Sequence, residues 1–128
     1  MKDLSFDLTS LRAAYESGLD PHALIDLVYD RIAAANDPGI FIALRPRDDL
    51  HAEIDKLGPR GGALWGVPFA VKDNIDVAGV PTTAACPDFV YTPVADAAAV
   101  ARLRAAGALA IGKTNLDQFA TGLVGLRT

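Results

Sequence analysis

Cysteine, histidine and serine are scarce in this 128-residue chain: one cysteine, Cys86, two histidines, His22 and His51, and three serines, Ser5, Ser10 and Ser17. A lone cysteine cannot close an internal disulfide, so nothing asks for an oxidising compartment. No cysteine–histidine grouping of the kind that holds structural zinc surrounds either histidine, which argues against a zinc site. The serines stop at position 17, so a serine nucleophile within the chain would have to come from the N-terminal stretch, where capping and surface roles suit that residue better. No run approaches the ~20 apolar residues of a membrane helix. The opening Met1–Asp7 carries two acids where a secretory leader would be basic and then apolar, so the expected location is the cytoplasm. Lysine and arginine nowhere cluster, and the net charge is −4 with a pI near 4.9, which excludes the electrostatic footprint of a nucleic-acid binder. What remains is 51% hydrophobic and 22% charged, the composition of one globular domain with a small-molecule partner and neither membrane nor nucleic acid.

Periodicity predicts an α/β protein. Thr9 or Ser10 can cap a short helix through Tyr15 that Gly18 ends, and Asp20-Pro21 reads as an N-cap with proline at the first helical position. Leu24, Leu27, Val28 and Ile32 then fall on one face of a helix that Asp37-Pro38-Gly39 stops. Ile40–Leu44 is a continuous apolar run between turn signals, read as a buried strand, and a polar helix over 47–57 follows it. Trp65–Lys72 reads as a strand with Pro68 near its start, Asp96 as the cap of an alanine-rich helix ending at Gly107, and 108–113 as another buried strand. This strand–helix–strand order predicts a crossover unit joining parallel neighbours. A short helix from Leu116 that breaks at glycines completes the pattern, with no polar tail after it, as if the chain stopped in mid-domain with its sheet incomplete.

Lys72 is the residue best placed for chemistry. A lysine has a reference pKa of about 10.4 and becomes a base near neutrality only when burial or neighbouring charge disfavours the ammonium. Alternation points Lys72 to the face of Ala70, at a strand end where α/β folds often hold ligands; the alternative is a solvated lysine at a strand terminus. Asp73 faces the other way, so its carboxylate is expected on nearby backbone and not on Lys72. Lys113-Thr114-Asn115 follows a strand, and apolar Leu109-Ala110-Ile111 occupies the positions that a phosphate-binding loop would take before it, which argues against such a loop. Cys86, before Pro87, reads as a packed or partly exposed thiol.

Three segments in one order, Gly66-Val67-Pro68-Phe69-Ala70-Val71-Lys72-Asp73-Asn74-Ile75-Asp76-Val77, Pro81-Thr82-Thr83-Ala84-Ala85-Cys86-Pro87 and Gly112-Lys113-Thr114-Asn115-Leu116-Asp117-Gln118-Phe119-Ala120, resemble the amidase signature family. Within it the wording of 116–125 is most similar to the allophanate hydrolase branch, whose members complete urea breakdown after urea carboxylase. The resemblance is strongest over 64–128. It implies the N-terminal part of the amidase signature fold, helices packed on a mixed, mostly parallel sheet, with a helical lead-in over 1–37 and an α/β portion over 38–128 of a single domain. It implies a Ser-cisSer-Lys mechanism in which Lys72 matches the lysine, and substrate contacts at Thr121 and Gly122. The family's Gly/Ser-rich segment, which carries both serines, has no counterpart in the chain, so the chain alone is expected to be inactive. No cofactor is implied; a homodimer when full length and a functional link to urea carboxylase are. The alternatives are a general amidase, the amidase component of glutamyl-tRNA amidotransferase, and a non-catalytic fragment acting by association.

Overall fold

The computed structural model describes residues 3–116, which form four helices and three strands. Helix α1 (Leu8–Glu16) is capped by Asp7, whose carboxylate accepts from the Ser10 N–H, and not by Thr9 or Ser10 as the sequence suggested. Asp7 lies two to three residues earlier and, as a carboxylate, is the stronger acceptor for the free N–H groups of a helix start. Helix α2 (Pro21–Ala35) begins as predicted, with Asp20 accepting from the His22 N–H and Pro21 at the first position, and ends at Asn36 in the left-handed region. Strand β1 (Phe41–Leu44), helix α3 (Arg47–Asp55), strand β2 (Pro68–Lys72), helix α4 (Ala98–Ala105) and strand β3 (Leu109–Thr114) follow.

The strands lie in the order β1–β3–β2, with β3 antiparallel to β1 and parallel to β2. The expected β2–α4–β3 crossover between parallel neighbours is therefore present, in a mixed sheet with one pair of each kind among the described residues. Strand β3 is buried along almost its whole length because both its faces are covered. On one side Leu109 and Ile111 meet Leu11 and Tyr15 of α1, Leu24, Ile25 and Val28 of α2, and Leu50 and Ile54 of α3. On the other, Ala110 and Val71 pack with Val77, Val80 and Val100. Each fully buried aliphatic side chain contributes about 1.5–3 kcal/mol relative to exposure.

Three further expectations need correction. Strand β1 is half-exposed, not buried: its side chains alternate, with Ile42 and Leu44 outward, because among the described residues β1 is an edge strand covered on one face. Trp65 to Gly66 form a turn, and β2 starts only at Pro68. Asp96 does not cap α4; Ala97 holds that position without a side-chain bond, while Asp96 accepts from the Ala78 N–H and pairs with Arg104 at 3.2 Å. That guanidinium also reaches Glu53 of α3, which in turn pairs with Arg45, so a row of alternating charges ties α4 to α3. An ion pair has outcompeted the cap.

Register decides which side chains share a face. Between Phe69 and Ala70 of β2, the partner on β3 jumps from Ala110 to Gly112, leaving Ile111 opposite no single residue. This bulge shifts the alternation, so that Lys113 stands across from Val71, on the second cluster's face, and does not continue the row of Leu109 and Ile111. Gly112 beside it is required by packing: a Cβ there would sit 2.6 Å from the Ala43 carbonyl oxygen of β1.

Candidate functional site

Lys72 closes β2, across from Thr114 of β3, and Lys113 is across from Val71, so adjacent positions put the two lysines on opposite faces. Among the described residues Lys72 is exposed, which matches the solvated strand-end reading and not the buried one. It stands at a cavity of about 130 Å³ between β2 and α4, walled by Phe69, Ala70, Ile75, Ala99, Val100 and Leu103. The walls are apolar. Its backbone is held on both sides, by the ladder to β3 and by the turn in which the Ile75 N–H donates to the Lys72 carbonyl at 2.9 Å.

Asp73 is fully buried. Its N–H donates to the Thr114 carbonyl at 3.1 Å, and its Oδ2 accepts from the Thr83 N–H at 2.9 Å and the Thr83 hydroxyl at 2.5 Å. The expected carboxylate-to-backbone bond is thus made, ten residues along the chain. The other oxygen, Oδ1, accepts no hydrogen bond; it faces Lys113 Nζ at 3.5 Å, an ionic contact longer than a hydrogen bond.

Lys113, which the sequence presents only as a polar residue after an apolar strand, is as buried as Asp73. Its ammonium lies 3.2 Å from the Thr82 hydroxyl oxygen and 3.4 Å from the Pro81 carbonyl, besides Asp73, so all three N–H groups have oxygen neighbours. The Thr82 hydroxyl in turn donates to Asp76 at 2.9 Å, and the Tyr91 hydroxyl donates to the same carboxylate at 2.6 Å. Burial pulls the Lys113 pKa down, opposed by the charges of Asp73 and Asp76. The Tyr91 phenol is pushed up, chiefly by its bond to Asp76. A fully enclosed ammonium cannot reach a substrate; what this one does is fasten strand β3 to the end of β2 and to the 81–83 loop.

That loop leads into Ala84 and Ala85, both non-glycine residues with left-handed backbone at φ of 51° and 62°. Such conformations persist only where the surroundings impose them. Here Thr83 imposes them, anchored to Asp73 and accepting from the Ala85 N–H at 3.2 Å. Thr83, Ala85 and Pro87 border a second cavity of about 380 Å³ with Ile42 and Asn115. Cys86 is partly buried, in agreement with its reading as a packed thiol. Ser5 and Ser10 both donate to Asp7 at the start of α1, and Ser17 ends that helix, so all three serines serve helix termini. Thr121, Gly122 and the helix expected from Leu116 lie outside the described residues.

The histidines are also brought together, across α2 and α3, although they are 29 residues apart in the chain. The available signal was that each has an aspartate four residues on, Asp26 and Asp55. Among the described residues no group of three or more His, Cys, Asp or Glu side chains is arranged to hold a metal ion.

Comparison with known proteins adds a common theme. Residues 23–127 match the family profile described as Amidase. The chain is 69% identical over 109 residues to urea amidolyase of Saccharomyces cerevisiae, an alignment covering 82% of this chain and 6% of that protein. It is 44% identical over 104 residues to a glutamyl-tRNA(Gln) amidotransferase component of Limosilactobacillus fermentum, covering 77% of this chain and 21% of that protein. Among solved structures, allophanate hydrolase of Kluyveromyces lactis superposes with a TM-score of 0.80 at 42% identity, over 98% of this chain and 21% of the other. The chain therefore spans a small part of the length of the relatives it matches.

Proposed function

Because this chain belongs to the amidase family, we propose that it is the N-terminal portion of an allophanate hydrolase-type amidase and carries that enzyme's proton acceptor, Lys72. The observation that carries the reading is the far higher identity to urea amidolyase than to the amidotransferase relatives. In the Ser-cisSer-Lys scheme, neutral Lys72 Nζ takes a proton relayed through a bridging serine hydroxyl from the nucleophilic serine. The serine oxygen bonds to the amide carbonyl carbon, and the displaced electron pair rests on an oxygen held by backbone N–H groups. The C–N bond then breaks, the nitrogen leaves with the proton returned by Lys72, and water cleaves the ester. This chain supplies the lysine, its apolar cavity and the Asp73 anchor beside it; its three serines are committed to α1. Thr121 and Gly122 contact the substrate, a small amide. No cofactor enters the scheme, the full-length enzyme works as a homodimer in the cytoplasm, and its substrate reaches it from urea carboxylase.

Ammonia release from allophanate tests this. The 128-residue chain alone should release none, whereas joining it to the family's Gly/Ser-rich segment should give turnover that Lys72→Ala abolishes. Turnover by the chain alone would remove the need for the missing serines, and turnover that survives Lys72→Ala would remove Lys72 from the mechanism. Hydrolysis of other amides but not of allophanate would favour the general amidase reading.

A further inference from the structure

The contact between His22 and His51 has a geometry that fixes how many protons it holds. Their Nδ1 atoms are 2.6 Å apart, their ring planes differ by 16°, and their centroids are 4.9 Å apart. The centroid separation exceeds the N···N distance by about a ring's width in nearly parallel planes, as happens when both nitrogens lie on the line between the ring centres. The rings therefore meet edge to edge in one plane, as a hydrogen bond requires, and not face on. At the outer ends His22 Nε2 lies 2.9 Å from Asp55 Oδ1, and His51 Nε2 lies 3.0 Å from Asp26 Oδ1. Each histidine thus ignores the aspartate four residues along its own helix and bonds the one on the other helix, making a continuous row Asp55–His22–His51–Asp26 between α2 and α3.

A carboxylate only accepts, so both Nε2 atoms must carry hydrogen. Two neutral imidazoles have one N–H each, and both are then spent on the aspartates. The 2.6 Å contact needs a third hydrogen. We propose that His22 and His51 share a single extra proton between their Nδ1 atoms, and that this proton closes a pH-dependent clamp joining α2 to α3. The surrounding charge suits a monocation: Asp26 faces it from α2 and Asp55 from α3, and Arg47 of α3 is engaged with Asp26 at 3.3 Å and with Asp30 at 3.1 Å. The His22 backbone N–H is held by Asp20 at 2.9 Å, which fixes the ring's origin at the first turn of α2. The clamp fastens the surface side of the contact in which Leu24, Ile25 and Val28 meet Leu50 and Ile54.

The device works between two limits. As pH rises and the shared proton leaves, two nitrogen lone pairs oppose each other at hydrogen-bond distance; as pH falls and a second proton enters, two N–H groups do. Either opens the contact, so the clamp is closed only in the window where the pair holds one extra proton. The clamp does not depend on the chain's being an amidase.

The test is nitrogen NMR of the 128-residue chain labelled at histidine, followed across pH. The expected result is a scalar coupling between the two Nδ1 nuclei within a limited pH window, with both Nε2 atoms protonated there, and loss of the coupling on either side. The thermal midpoint should be highest in the same window and lower by on the order of 5 °C outside it. His51→Gln should erase both the coupling and the maximum. Two histidines that titrate independently, with no coupling at any pH while circular dichroism reports a folded chain, would overturn the proposal. That outcome is read on the unsubstituted chain, so it stands even where His51→Gln fails to fold.

Discussion

Lys113 and Asp73 have each given up hydration completely, and only their mutual charge and a few oxygens replace it. Burying two ions is costly, and well-packed apolar residues of similar volume often serve as well; removing one partner, however, leaves the other charged and unpaired. Lys113→Met or Asp73→Asn should therefore each cost about 3–5 kcal/mol in urea denaturation, and Lys113→Met combined with Asp73→Asn distinctly less than the sum of the two. An additive double variant would show that the pair is not coupled. Half of this pair was legible in the sequence. Asp73 turns away from Lys72 by simple alternation, so its bond to backbone could be read. The same alternation puts Lys113 on the wrong face, because a bulge at Ile111 intervenes and nothing local in Ala110-Ile111-Gly112 announces it. Lys72 was legible as a strand-end lysine, and its exposure is the solvated alternative that the sequence also offered.

At the scale of elements, the helices hang on side chains that bind distant backbone. Tyr15 of α1 donates to the Gly66 carbonyl at 2.6 Å, and Tyr29 of α2 to the Arg45 carbonyl at 2.6 Å. Burial raises both phenol pKa values, that of Tyr29 to about 12 from the usual 10.0. A phenol raised in the folded state contributes stability that is complete below its unfolded value and lost as pH climbs through the folded one. Stability should thus decline from pH 10 toward pH 12, and Tyr29→Phe should flatten that decline; an unchanged slope would acquit Tyr29. Asp7 works in the opposite sense. Its bonds to Ser5 and Ser10 bring its pKa from 3.8 to about 2, so its support of α1 is present above about pH 4 and lost as pH falls toward 2. Asp7→Asn should remove that acid-side loss, as read by helix content. Between strands the sensitive point is Gly112, where an added methyl would press on the Ala43 carbonyl. Gly112→Ala should destabilise by about 1–3 kcal/mol. Most element positions could be read from capping and periodicity, Asp20-Pro21 above all. The cap of α4 could not, because Asp96 is claimed by Arg104, and an ion pair between elements leaves no local mark.

At the scale of the whole molecule, the described residues present more apolar surface than a self-contained domain needs. Ile40 just before β1 and Ile42 and Leu44 on it are exposed at an edge of the described sheet, and Phe89, Val90, Tyr91 and Val94 form a second apolar stretch in the loop before α4. The composition gave no warning, since an average of 51% hydrophobic residues says nothing about where they lie. An edge strand with unpaired N–H and C=O groups and outward aliphatic side chains is a template for a further strand or chain. The net charge of −4 opposes association only weakly, being spread over an acidic surface interleaved with arginines and screened at physiological salt. Sedimentation equilibrium of the 128-residue chain should accordingly show mass rising with concentration. The contribution of β1 can be isolated by Ile42→Lys with Leu44→Lys, which places two like charges on the exposed face of the edge without entering the core. That variant should shift the equilibrium toward monomer while its circular dichroism stays unchanged. A native chain that remains monomeric at every concentration would mean that burial within the described residues suffices, and it would count against an associating fragment.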